Sequence, residues 1–176
     1  ERVAMRINHC THSVAGCYEN PNVQLYNSRA WYQDNWEPDF ACMHERRIGG
    51  LGDGPKWVCD PHRIAAKGRE CLVYSATAGV GEQVVFEKAV LNEISKDCEI
   101  HAFDSELREA TRSIGVRSHA WDSKKTFREI VEGLGHIGKT IDIFRIDCGG
   151  CEWTMFEDFC NIGASVRQML VSVHGL

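Results

Sequence analysis

Three aspartates and one histidine each follow a short apolar run in the second half of the sequence. These residues are Asp104, Asp122, Asp147 and His174. A carboxylate at such a position accepts hydrogen bonds from a sugar diol or takes up a proton, and an imidazole is a base near neutral pH. For Asp104 and Asp122 the alternative is a helix N-cap, and for His174 it is a strand-end histidine bonded to the backbone.

The segment 147–153, D-C-G-G-C-E-W, is the most unusual part of the sequence. Its acidic residues, Asp147 and Glu152, would both project into a ligand crevice, and its two glycines would let a ligand approach the backbone. Its two cysteines form a C-x-x-C pattern, which is also typical of thiol redox sites. Since the elements predicted around it do not follow a thioredoxin-like order, the sequence favours ligand binding.

A glycine-containing turn follows the first apolar run, at 71–75. Gly79 and Gly81 would let the backbone approach a ligand and would leave the N–H groups of the next helix free. Asp104 lies 23 residues beyond Gly81, close to the spacing of about 20 expected for a ribose-binding acid. The pattern is not a complete G-x-G-x-x-G, so a tight strand-to-helix turn is the alternative.

Apolar runs alternate with segments of helical spacing from residue 71 onward. The predicted strands cover 71–75, 99–103, 116–121, 141–146 and 168–173, and the predicted helices cover 85–94, 105–113, 127–134 and 152–159. This alternation is typical of a parallel sheet built from βαβ units. Ligands of such sheets bind beyond the carboxyl ends of the strands, where the acidic residues lie.

The chain divides into three parts by composition. Residues 1–30 are polar and predict an irregular arm, whereas 31–70 predict a loop-rich cap with tryptophans and glycines. The α/β domain covers 71–176. Because the sequence begins with Glu1 rather than Met and stops just after the fifth predicted strand, we expect a fragment whose α/β domain is incomplete at its C-terminal side.

The composition excludes several classes of protein. The chain has 176 residues, 43% hydrophobic and 26% charged, which is enough to bury the core of about one domain. Twenty Lys and Arg against 25 Asp and Glu give a net charge of −5, so we expect no nucleic-acid partner. The longest apolar runs are far shorter than the roughly 18 residues of a membrane span, so we also expect no membrane span.

The nine cysteines are many for this length, and an odd number leaves at least one unpaired within the chain. Cys71, Cys98 and Cys148 flank or lie in apolar runs, which predicts buried free thiols. Cys10 and Cys17 lie in a polar stretch and could pair in an oxidising compartment.

Two short pairs, Cys42 with His44 and Cys59 with His62, offer two sulfurs and two imidazoles. A structural zinc site is one interpretation of these pairs. Ordinary packing of a cysteine-rich cap is the favoured one, because the C-x-H spacing is tighter than zinc fingers use, so we expect no metal.

Seven segments occur in an order that covers most of the chain. They are N-W-E-P-D-F at 35–40, E-R-R-I-G at 45–49, G-D-G-P-K-W-V-C-D-P at 52–61, V-Y-S at 73–75, F-E at 86–87, I-D-C-G-G-C-E-W at 146–153 and R-Q-M-L-V at 167–171. Together they resemble the methyltransferase-like protein 24 family, a eukaryotic branch near the FkbM-type methyltransferases.

The resemblance implies a Rossmann-like class I methyltransferase fold, in which an open, mostly parallel sheet carries helices on both faces. It implies S-adenosylmethionine as the cofactor, with Asp104 at the ribose, Asp122 near the adenine and Asp147 beside the reacting methyl group. The residues that it assigns to the cofactor are Tyr74, Ser75, Ala76, Gly79, Gly81, Asp104, Asp122 and Asp147. Class I folds have two further strands after the fifth, in agreement with a truncated domain.

The sequence therefore predicts an S-adenosylmethionine-dependent methyltransferase acting on an acceptor such as a hydroxyl of a small molecule or glycan. By position, Asp147, Glu152 and His174 are the candidate catalytic residues. Both cytoplasmic and secretory or membrane-tethered locations of the full-length protein remain open.

Two departures from the FkbM-type pattern support an alternative function. Gly149 replaces the first glutamate of D-x-E-G-x-E, and Ala76 or Thr77 stands where the first glycine after the strand is usual. A catalytically inactive, methyltransferase-like binding module would tolerate both changes. A nucleotide-dependent oxidoreductase is a third possibility, which the incomplete glycine pattern disfavours.

Overall fold

The computed structural model describes residues 42–52, 54–77, 84–104, 114–121 and 125–174. These residues all belong to one compact unit, which begins at Cys42. Several predictions lie outside the described residues: the arm 1–30 with Cys10 and Cys17, the helix 105–113, and the site residues Gly79, Gly81 and Asp122.

The described residues form short strands and helices in alternation. The strands are β1 (Glu45–Ile48), β2 (Lys56–Cys59), β3 (Leu72–Thr77), β4 (Glu99–Asp104), β5 (Arg117–Ala120), β6 (Thr140–Ile141), β7 (Ile143–Asp147), β8 (Ser165–Val166) and β9 (Met169–Val171). The helices are α1 (Pro61–Ala65), α2 (Val85–Ala89), α3 (Phe127–Gly133), α4 (Cys151–Thr154) and α5 (Phe156–Cys160). A 3-10 helix covers Gly68–Glu70, and a π-helix, Val90–Ile94, continues α2.

The central sheet contains five parallel strands in the order β5-β4-β3-β7-β9. The middle strand, β3, has five buried residues out of six. A parallel strand that is covered on both faces is apolar along its whole length, which is why this strand is readily predicted from the sequence. The sheet and its helices confirm the predicted α/β, Rossmann-like fold.

Alternate residues of the sheet face two separate cores. On one side, here called the hairpin face, Val73 and Ile143 pack with Ile48, Val58 and Phe86 from β1, β2 and α2. Since successive residues of a strand point to opposite sides, Ser75 and Arg145 share this face. The register of β3 and β7 places these two residues side by side.

The opposite side, here called the aromatic face, carries Tyr74 and Phe144. They pack with Phe127 of α3 and Phe159 of α5. The ring centroids of Phe127 and Phe159 lie 5.2 Å apart, in an edge-to-face arrangement that aromatic pairs favour. Helices therefore cover both faces of the sheet, as predicted.

Strands β1 and β2 pair as an antiparallel hairpin, where the sequence predicts irregular loops. The prediction fails because each strand contributes few apolar side chains, so no alternation stands out. Ile48 and Val58 are nevertheless completely buried. The side chain of Gln168 fastens the hairpin near the sheet edge, because its amide bonds both the N–H and the carbonyl of Cys59, at 2.9 and 3.1 Å.

Two predicted elements are interrupted in the structure. The predicted strand 141–146 is divided at Asp142, whose buried carboxylate accepts hydrogen bonds from Lys67 and from the backbone N–H of Leu72. The predicted helix 152–159 is broken at Met155 into α4 and α5.

None of the described helices has the length and hydrophobicity that a membrane crossing requires.

The prediction of free thiols at Cys71, Cys98 and Cys148 is wrong. The described residues contain the disulfides Cys42–Cys59, Cys71–Cys98 and Cys148–Cys151, with Cα–Cα distances of 5.7, 4.6 and 5.4 Å. Buried thiols and buried disulfides occupy the same apolar surroundings, so the sequence pattern does not separate them. The Cys42–Cys59 bond also occupies both sulfurs of the alternative zinc site, whereas Cys160 is free and exposed.

Candidate functional site

A charged cluster lies on the hairpin face at the carboxyl end of β7. It consists of Lys56, Glu87, Arg145 and Asp147. The Arg145 guanidinium links two acids, with its NH1 3.2 Å from Glu87 Oε1 and its NH2 2.9 Å from Asp147 Oδ2. The side chains of Arg145 and Glu87 are only 4% and 3% exposed, so this ion pair is buried. Ser75 Oγ donates a further hydrogen bond to Glu87.

The hairpin contributes a second cation to Asp147. Lys56 Nζ of β2 lies 2.9 Å from Asp147 Oδ2. Burial alone would raise the pKa of Asp147, but the hydrogen bonds and charges of Lys56 and Arg145 outweigh it and hold the pKa below its usual value. Asp147 is therefore an ionised carboxylate at neutral pH.

The three predicted catalytic residues lie together at this end of the sheet. Glu152 Oε1 accepts hydrogen bonds from the backbone N–H of His174 at 2.7 Å, and lies 2.9 Å from its Nδ1. The other ring nitrogen, Nε2, lies 3.7 Å from Asp147 Oδ1. The imidazole thus lies between two carboxylates and is 40% exposed.

Glu152 is held firmly although it is on a four-residue helix. Burial would raise its pKa, but hydrogen bonds from the backbone and ring of His174 and from the backbone N–H of Gly150 lower it below its usual value. Trp153 Nε1 also donates to the carbonyl of His174 at 2.8 Å. These bonds hold the His174 backbone at its N–H and its carbonyl, and Glu152 also contacts the ring at Nδ1.

The turn between β7 and α4 faces open space. Gly149 and Gly150 have φ angles of 63° and 114°, which other residues rarely adopt, and a Cβ built on either would meet nothing within 4 Å. The Cys148–Cys151 disulfide spans this turn. The turn leaves room for a ligand beside Asp147.

The remaining predicted cofactor residues occupy different surroundings. Asp104 is a buried carboxyl at the carboxyl end of β4, and Ser75 is buried against Glu87. Tyr74 and Ala76 pack in the core of the aromatic face, and the Tyr74 hydroxyl bonds His136 Nδ1 at 2.7 Å. The ring of Tyr74 is thus on the other side of the sheet from Asp147.

The carboxylates at the carboxyl edge fit a nucleoside-type ligand that carries a positive charge. Asp104 and Asp147 end strands that are separated only by β3, so about 10 Å lies between the strands that carry them. A buried carboxylate accepts hydrogen bonds from a ribose diol, and an ionised one attracts a cation. Within the described part of the chain, the Nε atom of Arg145 is buried and has no hydrogen-bond partner.

A Rossmann-like sheet with acidic residues at its carboxyl edge is the architecture of enzymes that bind nucleoside-type ligands. A family model described as a methyltransferase domain matches residues 3–176. The chain therefore belongs to this methyltransferase-domain family, which confirms the predicted methyltransferase in general terms. No curated protein and no solved structure gives a match.

Sequence reasoning missed Lys56, Glu87 and Arg145. The signal for Arg145 was present, because a charge inside the apolar run I-F-R-I must be paired when the strand is buried. Its partner Glu87 lies 58 residues away, and Lys56 is still more distant in the chain. Only the packing of the hairpin and α2 against the sheet brings them together.

Proposed function

We propose that this chain is an S-adenosylmethionine-dependent methyltransferase that acts on a hydroxyl of a small molecule or glycan, with His174 as the general base. The observation that carries the proposal is the placement of His174 between Glu152 and Asp147 beside an open glycine turn. We also propose that the chain is related to the methyltransferase-like protein 24 family, which it resembles in sequence.

The cofactor would be held by groups at the carboxyl edge of the sheet. When bound, S-adenosylmethionine supplies a methyl group on a positively charged sulfur, which leaves as a neutral thioether. Asp104 would accept hydrogen bonds from the ribose. Asp147 would place a negative charge near the cation, because its pKa keeps it ionised.

His174 would act on the acceptor. As the hydroxyl oxygen forms its bond to the methyl carbon, His174 Nε2 would take up the hydroxyl proton, and the electron pair of the broken bond would remain on sulfur. Glu152 would stabilise the resulting imidazolium through its contact with Nδ1, which lies 2.9 Å away. Holding the imidazole in one orientation removes much of the entropy loss of the reaction.

The first test is calorimetric titration of the chain with S-adenosylhomocysteine. We expect micromolar binding that Asp104→Ala weakens at least tenfold, whereas Glu132→Gln, an exposed change on α3, leaves it unaltered. Transfer of a labelled methyl group to a panel of hydroxyl acceptors then tests the base. His174→Gln should reduce transfer by about 100-fold or more without changing the affinity for S-adenosylhomocysteine. A folded chain that does not bind S-adenosylhomocysteine would contradict the proposal.

One observation favours a binding module without activity as the second candidate. Asp147 is bound by both Lys56 and Arg145, so its negative charge is largely compensated. Such a module would bind S-adenosylhomocysteine normally but transfer no methyl group to any acceptor of the panel. Measurements of methyl transfer therefore distinguish the two functions, whereas measurements of S-adenosylhomocysteine binding do not.

We also propose that the chain matures in an oxidising compartment. Three disulfides among the described residues support this location, because such bonds are rare in the cytosol. Alkylation of the protein from its native source, in denaturant and without a reductant, followed by mass spectrometry, tests it. Unmodified Cys71 and Cys98 would support the proposal, whereas alkylated ones would exclude it.

A further inference from the structure

A second polar cluster lies on the aromatic face, toward the amino ends of the strands. This histidine cluster consists of Tyr74, Glu99, His101, His119 and His136. His101 and His136 are 1% and 2% exposed, which is unusual for histidine. The methyl-transfer site proposed above lies on the other face and at the other end of the sheet, so it uses none of these imidazoles.

The Nε2 atoms of His101 and His136 both lie near the carboxylate of Glu99. His101 Nε2 lies 3.0 Å from Glu99 Oε1, and His136 Nε2 lies 3.8 Å from the same oxygen. The second distance is too long for a hydrogen bond. One ligand atom from each of the three residues lies within 4.8 Å of the other two. With bonds of about 2.0–2.2 Å, tetrahedral zinc holds its ligand atoms about 3.3 Å apart, so small side-chain movements would close the triangle.

The other nitrogens of both rings already have partners. His136 Nδ1 lies 2.7 Å from the Tyr74 hydroxyl, and His101 Nδ1 lies 2.8 Å from His119 Nε2. Metal-binding histidines are held in this way, since a second group fixes the ring and leaves Nε2 for the metal.

The charges of the cluster also suit a metal. Glu99 brings one negative charge to a site whose other two ligands are imidazoles, so it would partly compensate the charge of a divalent cation. Arg117 contacts Glu99, but it is 63% exposed and can turn into solvent when a cation arrives.

We propose that Glu99, His101 and His136 form a binding site for one zinc ion, with Tyr74 and His119 as the groups that orient the two histidines. Two imidazoles and a carboxylate are an established donor set for zinc, which leaves a fourth position for water. The site is independent of the proposed methyl transfer. Its position between β4 and the segment after α3 would stabilise the fold around the aromatic core.

The test uses the whole, disulfide-bonded chain, stripped with a chelator and titrated calorimetrically with zinc chloride. We expect one equivalent to bind, and Glu99→Gln and His136→Gln each to weaken binding by about 100-fold or more. Tyr74→Phe, which removes only an orienting group, should weaken it by about tenfold. The matched control is the double variant His44→Gln, His62→Gln, which removes another histidine pair and should bind as the unmodified chain does.

X-ray absorption at the zinc edge, measured on the unmodified chain with zinc bound, tests the proposal even if a variant fails to fold. Nitrogen and oxygen ligands with imidazole scattering would support the proposal. Sulfur ligands, no stoichiometric binding by a folded chain, or unchanged affinity in both folded ligand variants would overturn it.

Discussion

The charged cluster and the histidine cluster bury polar groups in the same sheet by different means. At the carboxyl end of the hairpin face, Arg145 pairs with both Glu87 and Asp147, and with Lys56 it holds the pKa of Asp147 below its usual value. At the amino end of the aromatic face, burial drives the histidines to their neutral form instead. Opposite charges in contact keep a buried group charged, whereas desolvation without full compensation removes its charge. The first arrangement suits a charged substrate, and the second suits a ligand that needs a free lone pair.

Replacing Asp147 tests whether the charged cluster takes part in methyl transfer, and this change should have the largest effect. We expect Asp147→Ala to reduce methyl transfer by at least about 1,000-fold, because the carboxylate beside the reacting group is lost. The fold should survive, since Arg145 keeps its partner Glu87. Labelled-methyl transfer and far-ultraviolet circular dichroism measure the two properties. Full activity in a folded variant would exclude Asp147 from the site.

Removing the cation from the charged cluster should destabilise the protein strongly. Arg145→Met leaves Glu87 as a buried acid without a compensating charge, which typically costs about 3–5 kcal/mol. The double variant Arg145→Met, Glu87→Gln should recover part of this loss. Urea unfolding gives the free energies, and the exposed Arg63→Met is a control expected to stay within about 0.5 kcal/mol. Equal stability of Arg145→Met and the unmodified chain would show that the pair is not buried.

Acid should weaken the histidine cluster before the charged cluster. The pKa of His101 is about 4 in the folded protein, below its ordinary value of 6.5, so the unfolded chain binds the proton first. Its contribution is complete above about pH 6.5 and is lost as the pH falls to 4, by about 3 kcal/mol in total. The groups that face its ring are Tyr74, Glu99, His119 and His136.

The pKa values of Asp147 and Glu152 are lowered, so their contribution is lost only as the pH falls below about 4. Urea unfolding between pH 4 and 7, with a chelator present, therefore measures the histidine window without that of the two acids. His101→Gln should flatten the curve between pH 4 and 6.5. An unmodified chain with constant stability across that range would refute the neutral buried histidine.

The smallest expected effect comes from the Tyr74 hydroxyl. Tyr74→Phe keeps the packing of the ring but removes the partner of His136 Nδ1, which should cost about 1–2 kcal/mol. Thr154→Val, which removes an exposed hydrogen bond to the Cys151 carbonyl, is a control with little expected effect. Equal thermal stability of Tyr74→Phe and the unmodified chain would mean that this buried contact contributes nothing.

The parallel sheet could be predicted from the sequence because short apolar runs, such as L-V-Y in β3 and I-F-R-I in β7, alternate with segments of helical spacing. The joint position of Asp147 and Glu152 could also be predicted, since one ends a strand and the other begins the next helix. The ends of parallel strands meet at one edge whatever the details of packing.

The histidine cluster could not be predicted, because its members are spread from residue 74 to residue 136 on four separate segments. One local signal existed: Glu99 and His101 are two residues apart in a strand and so share a face. The partners of that pair depend on how α3 and the segment after it pack against the sheet. The hairpin and the disulfides were missed for the same reason, since they depend on contacts between distant parts of the chain.

The β1–β2 hairpin makes the apparent modular boundary at residue 71 a poor place to shorten the protein. A chain limited to 71–176 would retain every strand of the central sheet but would uncover Val73 and Phe86, which are completely buried in the whole chain. It would also lose the Lys56 cation beside Asp147. Exposed apolar area of this kind promotes aggregation. Shortened variants should therefore keep all residues from Cys42 onward. The first strand of the central sheet, β3, begins thirty residues later, at Leu72.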